Sequence, residues 1–220
     1  MRCGRTSTVL AAAFCTVLLD RPAPSATEAQ SPPAAKTGPA GSVEASDPLE
    51  FTRDVLGRSN VIVRGPGDRR EKLQALSNLL RGFLDTNALG RLAAGKNLEN
   101  RSAAEVDEFL HLFHEFFVRT YVQRLLLFDA PDFTFGQEAI DGERARVATE
   151  VVTPGDRFAV DYQLRRMPEG WRATDIVVEG VSLARNFRSQ FDAAVAKDSF
   201  EGLLDRLRAK VSAQSTQEGS

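Results

Sequence analysis

The sequence predicts an α+β domain, an antiparallel twisted sheet packed against helices, and three observations carry that prediction. Apolar residues recur at helical spacing before Pro131, the period moves towards two between Phe133 and Val178, and helical spacing returns from Val181 onward. A length of 220 residues suits one domain with a substantial core. The 28 Lys and Arg against 30 Asp and Glu give a net charge of -2, which excludes the strongly basic footprint of a nucleic-acid-binding protein. With 42% hydrophobic and 26% charged residues and a mean hydropathy of -0.25, a polytopic membrane protein is excluded as well. Phenylalanine is the odd entry, 14 Phe against 1 Trp and 2 Tyr, and this apolar bulk without polar handles suits a large core or a greasy cavity.

The chain opens with Arg2 and Arg5, runs uncharged from Thr8 to Leu19, and then offers small residues at Ala23, Ser25, Ala26 and Ala29. That layout predicts a cleaved secretory signal peptide over residues 1–29, because the apolar run is shorter than the roughly 20 residues of a spanning helix. An uncleaved anchor is the minor alternative. Both cysteines, Cys3 and Cys15, fall in this leader, so the mature chain is expected to carry no thiol chemistry, and Cys15, following Phe14 inside the run, does not form a lipid-attachment site. Residues 30–47, rich in Ala, Pro, Ser and Thr, read as a disordered linker. The folded domain is expected over 48–212, with a flexible tail at 213–220.

Within the domain, Pro48 to Leu56 predicts a short opening helix, and Asp68 to Leu84 a longer one with Leu73, Leu76, Leu80 and Phe83 at helical spacing. Gly65-Pro66-Gly67 separates them. A short helix follows from Asp85 to Ala94, ended by Gly95. Ser102-Ala-Ala-Glu105 has the form of a capping box and starts a long helix through Phe109, Phe113, Phe116, Tyr121, Leu125 and Phe128, which Pro131 stops. Apolar side chains surround most of the second half of this helix, so that half must be covered on more than one side or must line something other than packed protein.

Arg144 to Val152 alternates, and Phe158, Val160, Tyr162 and Leu164 share one strand face while Ala159, Asp161, Gln163 and Arg165 take the other. Trp171 to Val178 is a further strand, with turns at Pro154-Gly155-Asp156 and Pro168-Glu169-Gly170. Val181, Leu183, Phe187, Phe191 and Val195 return to helical spacing. A last amphipathic helix is expected over Phe200 to Lys210.

The run from Gly170 to Phe191 closely resembles the signature of the MlaC, or toluene-tolerance, family. Trp171 opens a strand, Asp175 follows four residues on, and Glu179-Gly180-Val181-Ser182 turns into a helix carrying Asn186-Phe187-Arg188-Ser189-Gln190-Phe191. Asp161-Tyr162-Gln163-Leu164 and the phenylalanine-rich helix ending in Thr120-Tyr121 extend the resemblance, which covers about Leu73 to Lys210. The family's usual tryptophan before the long helix is replaced near Leu98, and the stretch before Pro48 is longer than the family's.

The resemblance implies a periplasmic phospholipid carrier with an apolar lipid cavity between helices and sheet. Such a carrier works between an inner-membrane ABC transporter, through its substrate-binding component, and an outer-membrane lipoprotein complex, and so maintains outer-membrane lipid asymmetry. It implies no cofactor, no metal, no enzymatic activity and a monomer when free. The expected lipid-contacting residues are Phe109, Phe113, Phe116, Tyr121 and Leu125 on the helix and Phe158, Val160, Tyr162, Leu164, Val178 and Val181 on the sheet side. Arg185 and Arg188 are expected to meet a headgroup or a partner, against a solvated helix face as the plain reading. Ser182 is expected to cap the last-but-one helix.

Three other readings stay open at this point. A relative of the same family is associated with hopanoids, so the cargo is open between the two lipids. A small α+β enzyme would draw on His111, His114, Asp161 and Asp175, with Asp107 and Glu115 near the histidines. No G-x-S-x-G, H-E-x-x-H or P-loop accompanies them. A pure adaptor would have a collapsed cavity.

Overall fold

The computed structural model describes residues 47–126 and 130–218. The expected leader and linker lie outside them, apart from Asp47. Helix α1, Pro48–Arg64, starts at Asp47, whose carboxylate accepts from the amides of Leu49 (2.8 Å) and Glu50 (3.4 Å), with Pro48 at the first helical position. It is twice as long as the sequence pattern suggests. Beyond Leu56 its inward side carries Ser59 with the half-buried Ile62 and Val63, and its last turns are held by Asn60 Nδ2 donating to the Pro131 carbonyl (2.7 Å) and Arg64 Nη2 to that of Ala130 (2.6 Å).

Helix α2, Arg69–Phe83, carries a capping box between Asp68 and Glu71 and buries Leu73, Leu76, Leu79 and Phe83. Helix α3, Thr86–Ala94, is capped by Asp85 and ended by Gly95 at φ +53°, where a short 3-10 turn over Gly95–Leu98 begins. Helix α4, Ala103–Leu125, begins at the expected Ser102–Glu105 capping box, with Glu105 N donating to Ser102 Oγ (3.3 Å) and Ser102 N to Glu105 Oε2 (2.9 Å).

The sheet is an antiparallel meander in the order β1 (Asp132–Asp141), β2 (Arg144–Val152), β3 (Arg157–Met167), β4 (Gly170–Val178) and β5 (Val181–Ser182). Phe158, Val160, Tyr162 and Leu164 of β3 are buried, as the alternation requires, and the facing set is not. Glu179 (φ +50°) and Gly180 (φ +77°) make the turn out of β4. The Glu179 amide donates to the Ala159 carbonyl (2.9 Å), and its carboxylate accepts from the Ala159 amide (2.5 Å), clamping the end of β4 to β3.

Helix α5, Leu183–Lys197, is capped by Ser182, whose Oγ accepts from Arg185 N (3.1 Å). Helix α6, Phe200–Glu218, continues past residue 212, where the sequence suggested a tail, and Gln214 Nε2 donates to Thr120 Oγ1 (2.8 Å), tying that extension to α4.

The helices brace α4 from several sides, as its broad apolar circumference demands. Phe109 and Phe113 meet Phe191 and Phe187 of α5 edge to face, at ring-centroid distances of 5.6 and 5.5 Å and angles of 88° and 89°. Phe200 of α6 joins them 6.0 Å from Phe109. Gly90 of α3 lets that helix approach α4 closely, since a Cβ there would stand 2.9 Å from Phe113 Cδ1 and 3.0 Å from Leu110 Cδ2. Phe113 cannot give way easily because it is itself wedged in the aromatic cluster. Replacing Gly90 with valine is expected to cost about 1–3 kcal/mol through overpacking. Urea unfolding of the variant measures it, and an unchanged midpoint would contradict this account of the α3–α4 contact.

Candidate apolar cavity

Helices α1, α2 and α4 and the sheet do not close fully on one another. Between them lies a cavity of about 110 Å³. Val55, Leu56 and Ser59 of α1 and Leu76, Leu79, Leu80 and Phe83 of α2 form one wall. Phe117, Tyr121 and Leu125 of α4, one helical turn apart, form the next. The sheet contributes Val151, Phe158, Val160, Tyr162, Ile176 and Val178, and Leu183, Pro131 and Phe133 complete the lining with Leu84.

Polar side-chain atoms at this surface are few. Ser59 Oγ donates to its own helix at the Leu56 carbonyl (2.7 Å). The Tyr162 hydroxyl is hydrogen-bonded to the side chain of Thr149, which itself donates to the Val160 carbonyl (2.8 Å). Burial pushes the Tyr162 phenol well above its ordinary pKa, with the Thr149 bond only a partial counterweight. Phe83 stands edge-on to the Tyr162 ring at 5.4 Å and fixes its orientation. No carboxylate or imidazole is among the lining residues.

Of the residues expected to contact lipid, Tyr121, Leu125, Phe158, Val160, Tyr162 and Val178 line the cavity. Phe109, Phe113 and Phe116 do not. They lie on the turns of α4 from Phe109 to Phe116 that the aromatic rings of α5 and α6 cover, so they are fully buried core residues, and α4 reaches the cavity only from Phe117 onward. Leu164 is also corrected. A bulge in β4 shifts the pairing from Gln163–Asp175 to Leu164–Ala173, and the Leu84 backbone bridges to Ala173 there, closing that end of the cavity short of Leu164. Val181 is 43% exposed on the two-residue β5 and points away from the interior. The walls from α1 and α2 were not singled out by the sequence, because a leucine stripe facing a cavity reads the same as one facing core.

The acid–base candidates do not converge. Asp161 pairs with Arg146 (2.6 Å) on the outer sheet face, while Asp175 accepts from Ser182 Oγ (2.5 Å) and the amides of Ile176 (2.9 Å) and Ala184 (3.1 Å). His114 sits between Thr86 Oγ1 (2.6 Å) and Arg81 at the edge of a polar cleft that also contains His111 and Asp107. Burial first, and then the Arg81 charge, hold His114 below the ordinary histidine pKa, so it is neutral near pH 7. Among the described residues no cluster of three or more His, Cys, Asp or Glu is arranged to hold a metal ion. Arg185 and Arg188 lie outside the cavity, in a separate groove.

Fold and cavity together define an α+β protein with an apolar pocket that has few polar groups in its lining. The family model described as MlaC protein matches residues 61–209, and the chain belongs to the MlaC family. It is 24% identical over 127 residues to the toluene tolerance protein Ttg2D of Pseudomonas putida, a match over 56% of this chain and 59% of that relative. The match therefore spans less than two thirds of the relative's length. A phospholipid-binding protein from Ralstonia solanacearum, solved in complex with a phospholipid, has the same fold, with a TM-score of 0.68 at 19% identity over 77% of this chain and 99% of that one.

The buried phenol gives a pH prediction. The native state keeps the Tyr162 proton to higher pH than the unfolded chain, whose tyrosines ionise near pH ~10. Above that pH the unfolded state binds fewer protons, so this contribution to stability is complete below pH ~10 and is lost as pH rises further. Tyr162→Phe is expected to flatten the alkaline limb of unfolding free energy against pH. An alkaline limb of unaltered slope in the variant would contradict the assignment.

Proposed function

We propose that the chain is a lipid carrier that encloses the acyl chains of a phospholipid in this cavity. It works in the periplasm after export, between an inner-membrane ABC transporter and an outer-membrane lipoprotein complex, and is not an enzyme. The observation that carries the reading is the lining itself: an almost wholly apolar surface on which the Ser59 and Tyr162 hydroxyls are hydrogen-bonded within the protein. Two chains of ~16 carbons exposed to water cost on the order of 25 kcal/mol at ~0.8 kcal/mol per methylene, so a carrier must cover them almost completely. An unpaired polar atom in the pocket would cost a few kcal/mol of that gain. The phospholipid complex of the Ralstonia solanacearum protein of the same fold supports the choice of cargo. The signal-peptide pattern supports the location.

Native mass spectrometry of detergent-free protein, followed by organic extraction, is expected to find a near-stoichiometric phospholipid. Leu80→Glu and Ile176→Glu, each at a half-buried wall position, should lower occupancy at least about tenfold, because an unpaired carboxylate in the pocket costs well over ~1.4 kcal/mol. Ile140→Glu, on an exposed strand position away from the cavity, serves as control. Equal lipid content in all four proteins would sink the assignment, and a hopanoid in the extract would replace the phospholipid as cargo.

A further inference from the structure

A second concavity, of about 630 Å³, shares no lining residue with the apolar cavity and has the opposite character. Arg91 of α3, Arg144 of β2, Arg165 of β3 and Arg185 and Arg188 of α5 all line it. Most arginines of this chain that stand near an acid are paired with it, for example Arg146 with Asp161 and Arg208 with Glu108, Glu201 and Asp205. In the groove the local acids are already committed elsewhere. Asp175 spends both carboxylate oxygens on Ser182 and the amides of Ile176 and Ala184, and Asp85 caps α3 with one oxygen and pairs with Arg165 (3.2 Å) through the other. Arg188 donates from Nε (2.9 Å) and Nη2 to the Leu92 carbonyl in the last turn of α3, an attachment that holds α3 to α5.

Arg91, Arg144 and Arg185 are left, three exposed guanidinium groups from three different elements, with no carboxylate partner among the described residues. Converging like charges are unfavourable unless something anionic joins them. Leu92 lies in the same groove and is 45% exposed, an apolar side chain set among the cations. Arginine forks around an exposed apolar residue are the composition of a protein-contact surface.

We propose that this groove docks an acidic segment of a protein partner, carboxylates on Arg91, Arg144 and Arg185 and an apolar side chain over Leu92. A headgroup of cavity-bound lipid is disfavoured because Leu183 faces the cavity while its neighbours Ser182, Ala184 and Arg185 face the groove, so a packed layer separates the two. A flat anionic membrane is disfavoured by the concave shape. The inference rests only on the part of the proposed function that calls for a protein partner.

The test uses fluorescence anisotropy with a labelled peptide of alternating Glu and Leu. The wild-type protein is expected to bind it with an affinity that falls as ionic strength rises, and not to bind the same peptide with Lys in place of Glu. The triple variant Arg91→Ala, Arg144→Ala, Arg185→Ala should bind at least about tenfold more weakly, with roughly a 1.4 kcal/mol loss as the equivalent. Arg69→Ala with Arg70→Ala, exposed cations on α2, should leave binding unchanged. Should the triple variant unfold, Arg144→Gln at its exposed hairpin end gives the same reading in a folded protein, as a smaller loss.

Wild-type failure to bind the peptide, or equal binding by the triple variant, overturns the proposal. So does a groove that binds inorganic phosphate or phosphatidylglycerol vesicles through these arginines but not the peptide. Lipid content, measured alongside, should be the same in the triple variant and the wild type. A wild-type protein without lipid that still binds the peptide through the groove would refute the carrier reading and leave the docking surface standing.

Discussion

An apolar cavity between the helices and the sheet has to be held open, and that constraint organises the rest of the molecule. Collapse is resisted because each wall is fixed from behind. The second half of α4 overhangs the sheet while its first half is locked into the rings of Phe187, Phe191 and Phe200, edge-to-face pairs worth roughly 0.5–1.5 kcal/mol each beyond the area they bury. On the other side of the cavity the sheet is held in register by its hairpins and by the Glu179 clamp between β4 and β3. A smaller cluster of Leu73, Leu76, Val118 and Val122 then ties α2 to α4 beside the void. The phenylalanine excess in the composition is thus explained twice, once as bracing and once, through Phe83, Phe117, Phe133 and Phe158, as lining.

Much of the fold is legible in the sequence because it is written in local rules. The Ser102–Glu105 capping box, the alternation through β2 and β3, and the Ser182 cap of α5 each involve residues within a few positions of one another. The length of α1 was not legible, since Asn60 and Arg64 are held by carbonyls of Pro131 and Ala130, some seventy residues away. The cavity was legible only by half. Tyr121, Leu125 and Tyr162 belong to it and Phe109, Phe113 and Phe116 to the core, yet all have the same apolar character, and the difference depends on which helix covers each turn of α4. Leu164 was misplaced by the bulge at Thr174, an extra residue that leaves no mark in an alternation still apolar and polar on either side. The gathering of Arg91 and Arg144 beside Arg185 is of the same kind, a product of tertiary placement.

Polar and apolar chemistry are sorted across one short stretch of chain. Along Asp175 to Ala184 side chains go to different sides: Ile176, Val178 and Leu183 into the cavity, Asp175, Ser182 and Ala184 into the basic groove. The left-handed turn at Glu179 and Gly180 makes this possible by reversing the chain within two residues, so that one strand end and one helix start lie back to back. Asp175 is what stabilises the reversal, with one carboxylate accepting from the strand amide of Ile176, the helix amide of Ala184 and the capping hydroxyl of Ser182. The negative charge therefore neutralises a helix N-terminus and is unavailable to the arginines around it.

The walls differ in what it would take to move them. Displacing the second half of α4 would disturb a continuous aromatic core, and displacing the sheet would break ladder hydrogen bonds along whole strands. Helix α1 is attached by packing and by hydrogen bonds at its ends: Val55 and Leu56 are buried and Phe51 meets Phe83 at 5.6 Å, while Leu49 N donates to Glu138 Oε2 (3.0 Å) at one end, and Asn60 and Arg64 donate to two carbonyls at the other. Such bonds are each worth about 0.5–1.5 kcal/mol net and lie where water can replace them, whereas buried aromatic packing has no such substitute. The inner face of α1, Val55 and Leu56, is itself cavity wall, so an acyl chain entering beneath it would restore the apolar contact that lifting the helix removes. Parting α1 from the cavity would therefore exchange the hydrogen bonds at its ends for bonds to water and uncover Val55, Leu56 and the Phe51–Phe83 contact, apolar surface that an acyl chain beneath the helix would cover again.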